Sequence, residues 1–170
     1  EKLLIKTNES VYNIYKFAKK NKKKIIITTD IYFDKQIIKN FLNENNIFAN
    51  DIFVSCELGR SKLKGDIYEF IRKKYKTEKI LHIGDNYVSD YINAKKKNIN
   101  AVYLPNKREL FSKTPFIDLF KYNLSNFEKT ILALIQNKVG DILLQNKKLI
   151  FKNQQDLGYV FYGPLIYYYF

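Results

Sequence analysis

The sequence predicts an α/β domain built on a parallel sheet, followed by a mainly helical segment. Three observations point there. Short apolar runs alternate with stretches whose apolar residues recur at helical spacing, the pattern of strands joined by helical crossovers. The runs end in Thr, Ser, Gly and Asp, so polar groups collect where strands exit, which is where ligands bind in open α/β sheets. From Asn106 onward the alternation gives way to helical periodicity, so the expected parts are 1–105 and 106–170.

Each element has its own signal. Glu9-Ser10 opens a helix with Val11, Ile14, Tyr15, Phe17 and Ala18 as its apolar stripe. Lys24 to Asp30 is a buried strand with a polar exit. Asp34 to Asn43 is a second helix, turning Ile37, Ile38, Phe41 and Leu42 inward. Asp51 to Ser55 is another strand, running into Cys56-Glu57-Leu58-Gly59-Arg60-Ser61-Lys62. Asp66 to Tyr75 is a helix with Ile67, Phe70 and Ile71 inward. The strand beginning at Ile80 stops at Gly84-Asp85, a helix is expected near Tyr91 to Lys97, and Asn100 to Leu104 is a last strand that Pro105 ends. In the extension, Phe116 to Asn137 is mostly helical, with Phe120, Leu124, Phe127, Ile131, Leu134 and Ile135 as its stripe. Ile142-Leu143-Leu144 and Leu149-Ile150-Phe151 fit either a hairpin or two helical fragments. There is no internal repeat.

Composition excludes several classes. A chain of 170 residues, 46% hydrophobic and 28% charged, is long enough to bury one core. It has no apolar run of membrane-spanning length, and no signal peptide is expected. The single cysteine, Cys56, excludes an intrachain disulfide and fits a reducing compartment, with the cytoplasm as the expected location. The net charge of +13 raises nucleic acid as a partner. The positive charge is nearly all lysine, beside abundant Asn and Ile, as an AT-rich genome produces. The densest run, Lys19 to Lys24, lacks interleaved aromatics, so neither base stacking nor bidentate readout is indicated. It reads as a solvated face at a helix carboxyl end, and nucleic acid is not the expected partner. Anionic substrates would still be attracted. The sequence has no Met, and its densely aromatic end, Leu157 to Phe170, stops in an apolar run; both are expected of a sequence cut at its two ends.

Three strand exits carry chemistry. The first offers Thr28, Thr29 and Asp30, the second Ser55, Glu57 and Lys62, the third Asp85, Asn86 and Asp90. Asp85 and Asp90 read either as two hard oxygen ligands at one strand tip, a set that suits Mg²⁺, or as a turn Asp and a helix cap. A hydroxyl, an ammonium and paired carboxylates with Mg²⁺ are what phosphoryl transfer requires.

The order Ile25-Ile26-Ile27-Thr28-Thr29-Asp30, Ser61-Lys62-Leu63-Lys64-Gly65-Asp66-Ile67-Tyr68, His82-Ile83-Gly84-Asp85 and Ser89-Asp90 resembles the haloacid dehalogenase superfamily, in its second, third and fourth motifs. Thr29-Asp30-Ile31-Tyr32, Ser55-Cys56-Glu57 and His82-Ile83-Gly84-Asp85-Asn86 further resemble a bacterial branch of predicted hydrolases often encoded with, or fused to, glycosyltransferases. Gly158-Tyr159 and Gly163-Pro164 look like that branch's downstream segment. The resemblance implies a Rossmann-like three-layer core and a Mg²⁺-dependent phosphatase acting on a small phosphorylated metabolite. It implies that Thr29 binds the phosphoryl group and that Asp30 lies in the substrate site. Lys62 stabilises the phosphoryl group and the attacking carboxylate, with Lys64 as runner-up. Asp85 binds Mg²⁺ directly, and Asp90 acts through water or by orienting Lys62.

The first motif of that family has no counterpart. It is a strand ending in Asp-x-Asp, whose first Asp is the nucleophile and whose second is the general acid and base. Asp30 and Asp34 have the wrong spacing, and Glu1 to Lys6 holds no such pair. The resemblance places the missing strand at the centre of the sheet, between the Ile25 and Ile80 strands, so these would face each other across a gap. The chain as given is therefore expected to be inactive, a fragment of a hydrolase. The alternative is a non-catalytic binding or scaffold module accompanying a glycosyltransferase. Among the remaining residues, His82 inside a strand reads as a core residue and Cys56 as a small buried one. Glu57 either orients Lys62 or caps a turn. Tyr32 and Tyr87 sit where a substrate would rest.

Overall fold

The computed structural model describes residues 7–76, 78–114, 117–118 and 121–144. Its backbone divides into two compact units, Glu1–Leu104 and Pro105–Phe170. The first is α/β, in the order α1 (Glu9–Lys20), β1 (Ile26–Thr29), α2 (Lys35–Glu44), β2 (Asp51–Val54), α3 (Ser55–Leu58), α4 (Asp66–Lys74), β3 (Leu81–Gly84), a π-helical turn (Tyr87–Ile92), α5 (Asn93–Lys96) and β4 (Asn100–Tyr103). Side-chain caps fix several of the starts. The Asn8 carboxamide oxygen accepts from the Ser10 and Val11 N–H groups ahead of α1, and the Asp34 carboxylate accepts from Ile37 N–H ahead of α2.

The four strands form two separate parallel pairs, β1 with β2 and β3 with β4. Within the first pair Ile27 lies opposite Ile52, and within the second His82 lies opposite Ala101. Helix α4 packs on both pairs. Its Ile67, Ile71 and the following Tyr75 form one buried cluster with Phe53, Ala94 and Ile99, against which Ile26, Ile80 and Ala101 also pack. Phe53 comes from β2, Ile26 from β1 and Ala101 from β4, so one helix underlies both sheets.

The two pairs run in the same sense. Ahead of β1, Lys24 is salt-bridged to Glu78, which precedes β3, at 2.8 Å. Beyond β1 and β3, Asp30 and Asp90 both bind Lys62. A groove of about 110 Å³ lies between β1 and β3, lined by Ile26 and Thr28 on one side, Ile80, Leu81 and His82 on the other, and Ile71 of α4 with Tyr75 just after it.

Some expectations need correction. The stripe of α1 is mostly open, with Val11, Ile14 and Phe17 exposed and no α1 residue fully buried. Sequence periodicity marks an apolar face; it does not say that anything covers it. The segment after β2 is a short helix, α3, and the helix expected near Tyr91 begins as a π-helical turn at Tyr87. In the second unit, α6 (Lys107–Ser112) was not expected, and the long helix α7 is Asn126–Leu144, starting later and ending later than 116–137. Ile142 to Leu144 continue that helix, which removes the hairpin at this point; Leu149 to Phe151, Phe120 and Tyr159 to Phe170 lie outside the described residues. The core of this unit is Phe111, Leu132, Ile135 and Val139. Gly140 lets α6 approach closely: a Cβ there would lie 3.0 Å from Cα of Lys107. Among the described residues, no helix is long and apolar enough to cross a membrane.

Candidate functional site at the strand exits

The loop between α3 and α4 is shaped to present Lys62. Ser61 N–H donates to the Asp66 carboxylate at 2.7 Å, and Lys64 N–H to the Ser61 hydroxyl at 3.1 Å. Gly65 N–H then reaches the carbonyls of Ser61 and Lys62, both at 3.1 Å. That fold-back needs a left-handed residue at the turn into α4, which Gly65 supplies at φ +79°. From the other side the Asn93 carboxamide donates to the carbonyls of Lys62 (3.1 Å) and Leu63 (2.6 Å).

Lys62 ties the two exits together. Its N–H donates to both oxygens of Asp30, at 3.1 and 3.0 Å, just beyond β1. Its ammonium donates to Oδ1 of Asp90 at 2.7 Å, beyond β3. Asp90 is only 1% exposed, so both its oxygens must be satisfied from within. Oδ1 also accepts from His82 Nε2 at 3.0 Å, and Oδ2 accepts from Asn86 N–H at 3.0 Å. An ionised carboxylate only accepts, so the His82 proton sits on Nε2. The Tyr68 hydroxyl donates to the Ser89 carbonyl at 2.9 Å and lies 3.1 Å from the same His82 nitrogen.

Backbone geometry aims this carboxylate. The Asn86 side chain accepts from Val88 N–H (3.1 Å) and Ser89 N–H (2.9 Å), starting the π-helical turn that swings Asp90 back onto the end of β3. The wider turn places Asp90 against Gly84, where a side chain on residue 84 would occupy the carboxylate's position. Electrostatics follow. Burial alone pushes the Asp90 carboxyl up, but hydrogen bonds from His82, Lys62 and Asn86 N–H more than offset it and hold the group well below the usual carboxylate range. The Tyr68 hydroxyl is driven far above its ordinary value, first by burial and then by the charges of Asp90 and Asp30.

Of the residues singled out from the sequence, Asp30, Lys62 and Asp90 are brought into direct contact. Thr29 closes β1 one residue before Asp30, and Asp85 directly follows β3 on the exposed side of the same exit. Lys64 is exposed on the loop surface. Glu57 accepts from Lys35 N–H at 2.6 Å and so caps α2, the second of the two roles open to it. Cys56 is exposed, contrary to the expectation of a small buried residue, because it lies in the first turn of α3 and no longer alternates with a strand. Its sulfur points to the Phe33 carbonyl at 3.5 Å. His82 packs edge-on against Tyr68, as a strand residue would, yet also completes the hydrogen bonding of Asp90. Tyr32 and Tyr87 are exposed, and Tyr87 is stacked on Tyr91 with centroids 5.4 Å apart.

Sequence reasoning missed Tyr68 and Asn93 as supports. Tyr68 enters the sequence reading only as the last residue of the Ser61 to Tyr68 motif, and nothing in the sequence marks an Asn on the far side of a crossover as a clamp for a loop carbonyl. Among the described residues, no three His, Cys, Asp or Glu side chains converge as a metal cage. No family model matches the chain, and no curated protein matches its sequence.

Proposed function

We propose that this chain carries most of a Mg²⁺-dependent phosphoryl-transfer site of the haloacid dehalogenase type, belonging to a hydrolase of small phosphorylated metabolites. The observation that carries the reading is Lys62, pinned by Asp30 through its backbone and by buried Asp90 through its ammonium, at the shared exit of β1 and β3. A rigidly held cation at the mouth of parallel strands suits a transferring phosphoryl group, whose negative charge must be met without reorganisation.

The roles divide as follows. The Thr29 hydroxyl, with N–H groups of the following turn, holds phosphoryl oxygens. Lys62 neutralises their charge. Asp90 fixes Lys62; with both its oxygens already accepting hydrogen bonds, it works through Lys62 rather than as a direct ligand. Asp85 is then the carboxylate that would hold Mg²⁺, an ion that commonly takes one or two carboxylates, water and substrate phosphate. When bound, the ion would supply charge neutralisation between substrate phosphate and protein. In this reading the two strand pairs belong to one Rossmann-like sheet.

The sequence has no strand ending in Asp-x-Asp, so the residues given hold the phosphate site without its nucleophile. That same absence favours the second reading, a binding or scaffold module beside a glycosyltransferase. Two measurements test the proposal. Amide signals of Thr29, Asp30 and Asp85 should shift on adding inorganic phosphate with Mg²⁺, and a chain whose signals stay still has no such site. Steady Mg²⁺-dependent phosphate release from p-nitrophenyl phosphate by this chain alone would contradict the lack of a nucleophile.

A further inference from the structure

The exit of β3 carries a second feature, which the phosphate-binding residues leave unused. Tyr87 opens the π-helical turn, and Tyr91 stacks against it with ring centres 5.4 Å apart and planes 22° from parallel. The Lys95 ammonium stands 4.3 Å from the centre of the Tyr91 ring and donates to its hydroxyl at 2.7 Å. Residues 87, 91 and 95 recur at intervals of four, which lines up cation, inner ring and outer ring along one helical face. Tyr103, at the end of β4, braces the outer ring edge-on, with centres 5.3 Å apart at 78°. Tyr87 is nonetheless 53% exposed, so the column ends in an open aromatic ring. Tyr103 lies opposite Gly84 in the β3–β4 ladder, one strand spacing or about 5 Å away at the backbone, and Asp85 is the next residue. The rings and the proposed Mg²⁺ carboxylate therefore share one strand exit.

We propose that Tyr87 is the base-stacking platform of this site, and that the phosphorylated metabolite is a nucleoside monophosphate. Its phosphate lies at Lys62 and Asp85, its ribose is the spacer, and its base lies on the Tyr87 ring. The inference rests on the phosphoryl-transfer reading and narrows its substrate. A purine or pyrimidine gains from an aromatic face whatever its edge pattern, because every base has a π-face. The platform is also set before a ligand arrives. Lys95 holds Tyr91, and Tyr91 and Tyr103 hold Tyr87, so little side-chain freedom is lost on binding. A bare sugar has no planar π-face, and the next residue, Val88, itself 50% exposed, offers its hydroxyls nothing to bond.

The test is calorimetric titration of the intact chain, with Mg²⁺ present, by adenosine 5′-monophosphate, ribose 5-phosphate and inorganic phosphate. The chains are the parent, Tyr87→Ala, Tyr87→Phe and Lys62→Met, with a urea melt of each to check that it folds. The parent should bind the nucleotide at least about tenfold more tightly than ribose 5-phosphate. Tyr87→Ala should remove that advantage and leave phosphate binding as it was, Tyr87→Phe should keep it, and Lys62→Met should weaken all three ligands. Equal affinity for nucleotide and ribose 5-phosphate, with phosphate still bound, overturns the base platform and leaves the phosphate site standing. A nucleotide advantage untouched by Tyr87→Ala also overturns it, because the base then lies elsewhere. Nucleotide binding that survives Lys62→Met, in a chain that binds no phosphate, separates the rings from the strand-exit site and overturns both readings. Binding of none of the three removes the phosphate site and this inference with it.

Discussion

A Cβ placed on Gly84 would lie 2.6 Å from Oδ2 of Asp90, and closer still to its Cγ. Glycine at the end of β3 is therefore what allows a buried carboxylate to sit directly over the strand exit. Gly84→Ala should force Asp90 aside, at a cost of about 1–3 kcal/mol for overpacking. A urea melt reads this as a lower midpoint with unchanged slope. A variant as stable as the parent would mean that the Asp90 position is not constrained as described.

The Lys62–Asp90 pair lends itself to a double-mutant cycle. Their side chains are 16% and 2% exposed, so removing the ammonium alone strands a buried charge. Lys62→Met should cost about 3–5 kcal/mol, and Lys62→Met with Asp90→Asn clearly less than the sum of the single changes. Additive costs would show that the two groups do not interact in solution.

Stability should depend on Asp90 at acid pH. Its folded-state value lies below the usual carboxylate range, which the unfolded chain retains near 3.9. The unfolded state therefore takes up the proton first. The contribution is present in full above roughly pH 5 and is lost as pH falls toward the folded-state value. Chemical melts between neutral pH and about pH 3 should show this slope, and Asp90→Asn should flatten it. An equal slope in the variant would assign acid sensitivity to other carboxylates.

Tyr68 offers a test of the supporting network. Its hydroxyl is the donor to the buried Ser89 carbonyl, so Tyr68→Phe leaves that acceptor unmet and should cost about 1–3 kcal/mol in the same urea melt. Unchanged stability would place the hydroxyl outside the network.

Much of this arrangement is legible in the sequence because it rests on local signals. Ile26 to Thr29 and Leu81 to Gly84 are recognisable strands, Asp34 and Asn86 sit where caps belong, and Gly65-Asp66 is turn-forming chemistry at the start of α4. The shared exit of β1 and β3 follows from parallel topology. What was not legible depends on long-range placement. The Asn93 clamp on the Lys62 loop spans 31 residues, the Tyr68 bond to Ser89 spans 21, and neither has a local signature. Exposure of the α1 stripe also escaped, because periodicity describes a face and not its neighbour. Cys56 was misplaced by one feature, the strand giving way to helix at Ser55.

The central claim is that the exits of β1 and β3 make one site for phosphate and Mg²⁺. Calorimetric titration of inorganic phosphate with Mg²⁺ present tests it most directly, on the parent, Lys62→Met, Asp85→Asn and Lys64→Met. Binding should occur in the parent and in Lys64→Met, should vanish with Lys62→Met, and should lose its Mg²⁺ dependence with Asp85→Asn. Absence of binding in the parent, or binding untouched by the Lys62 and Asp85 changes, would contradict the account.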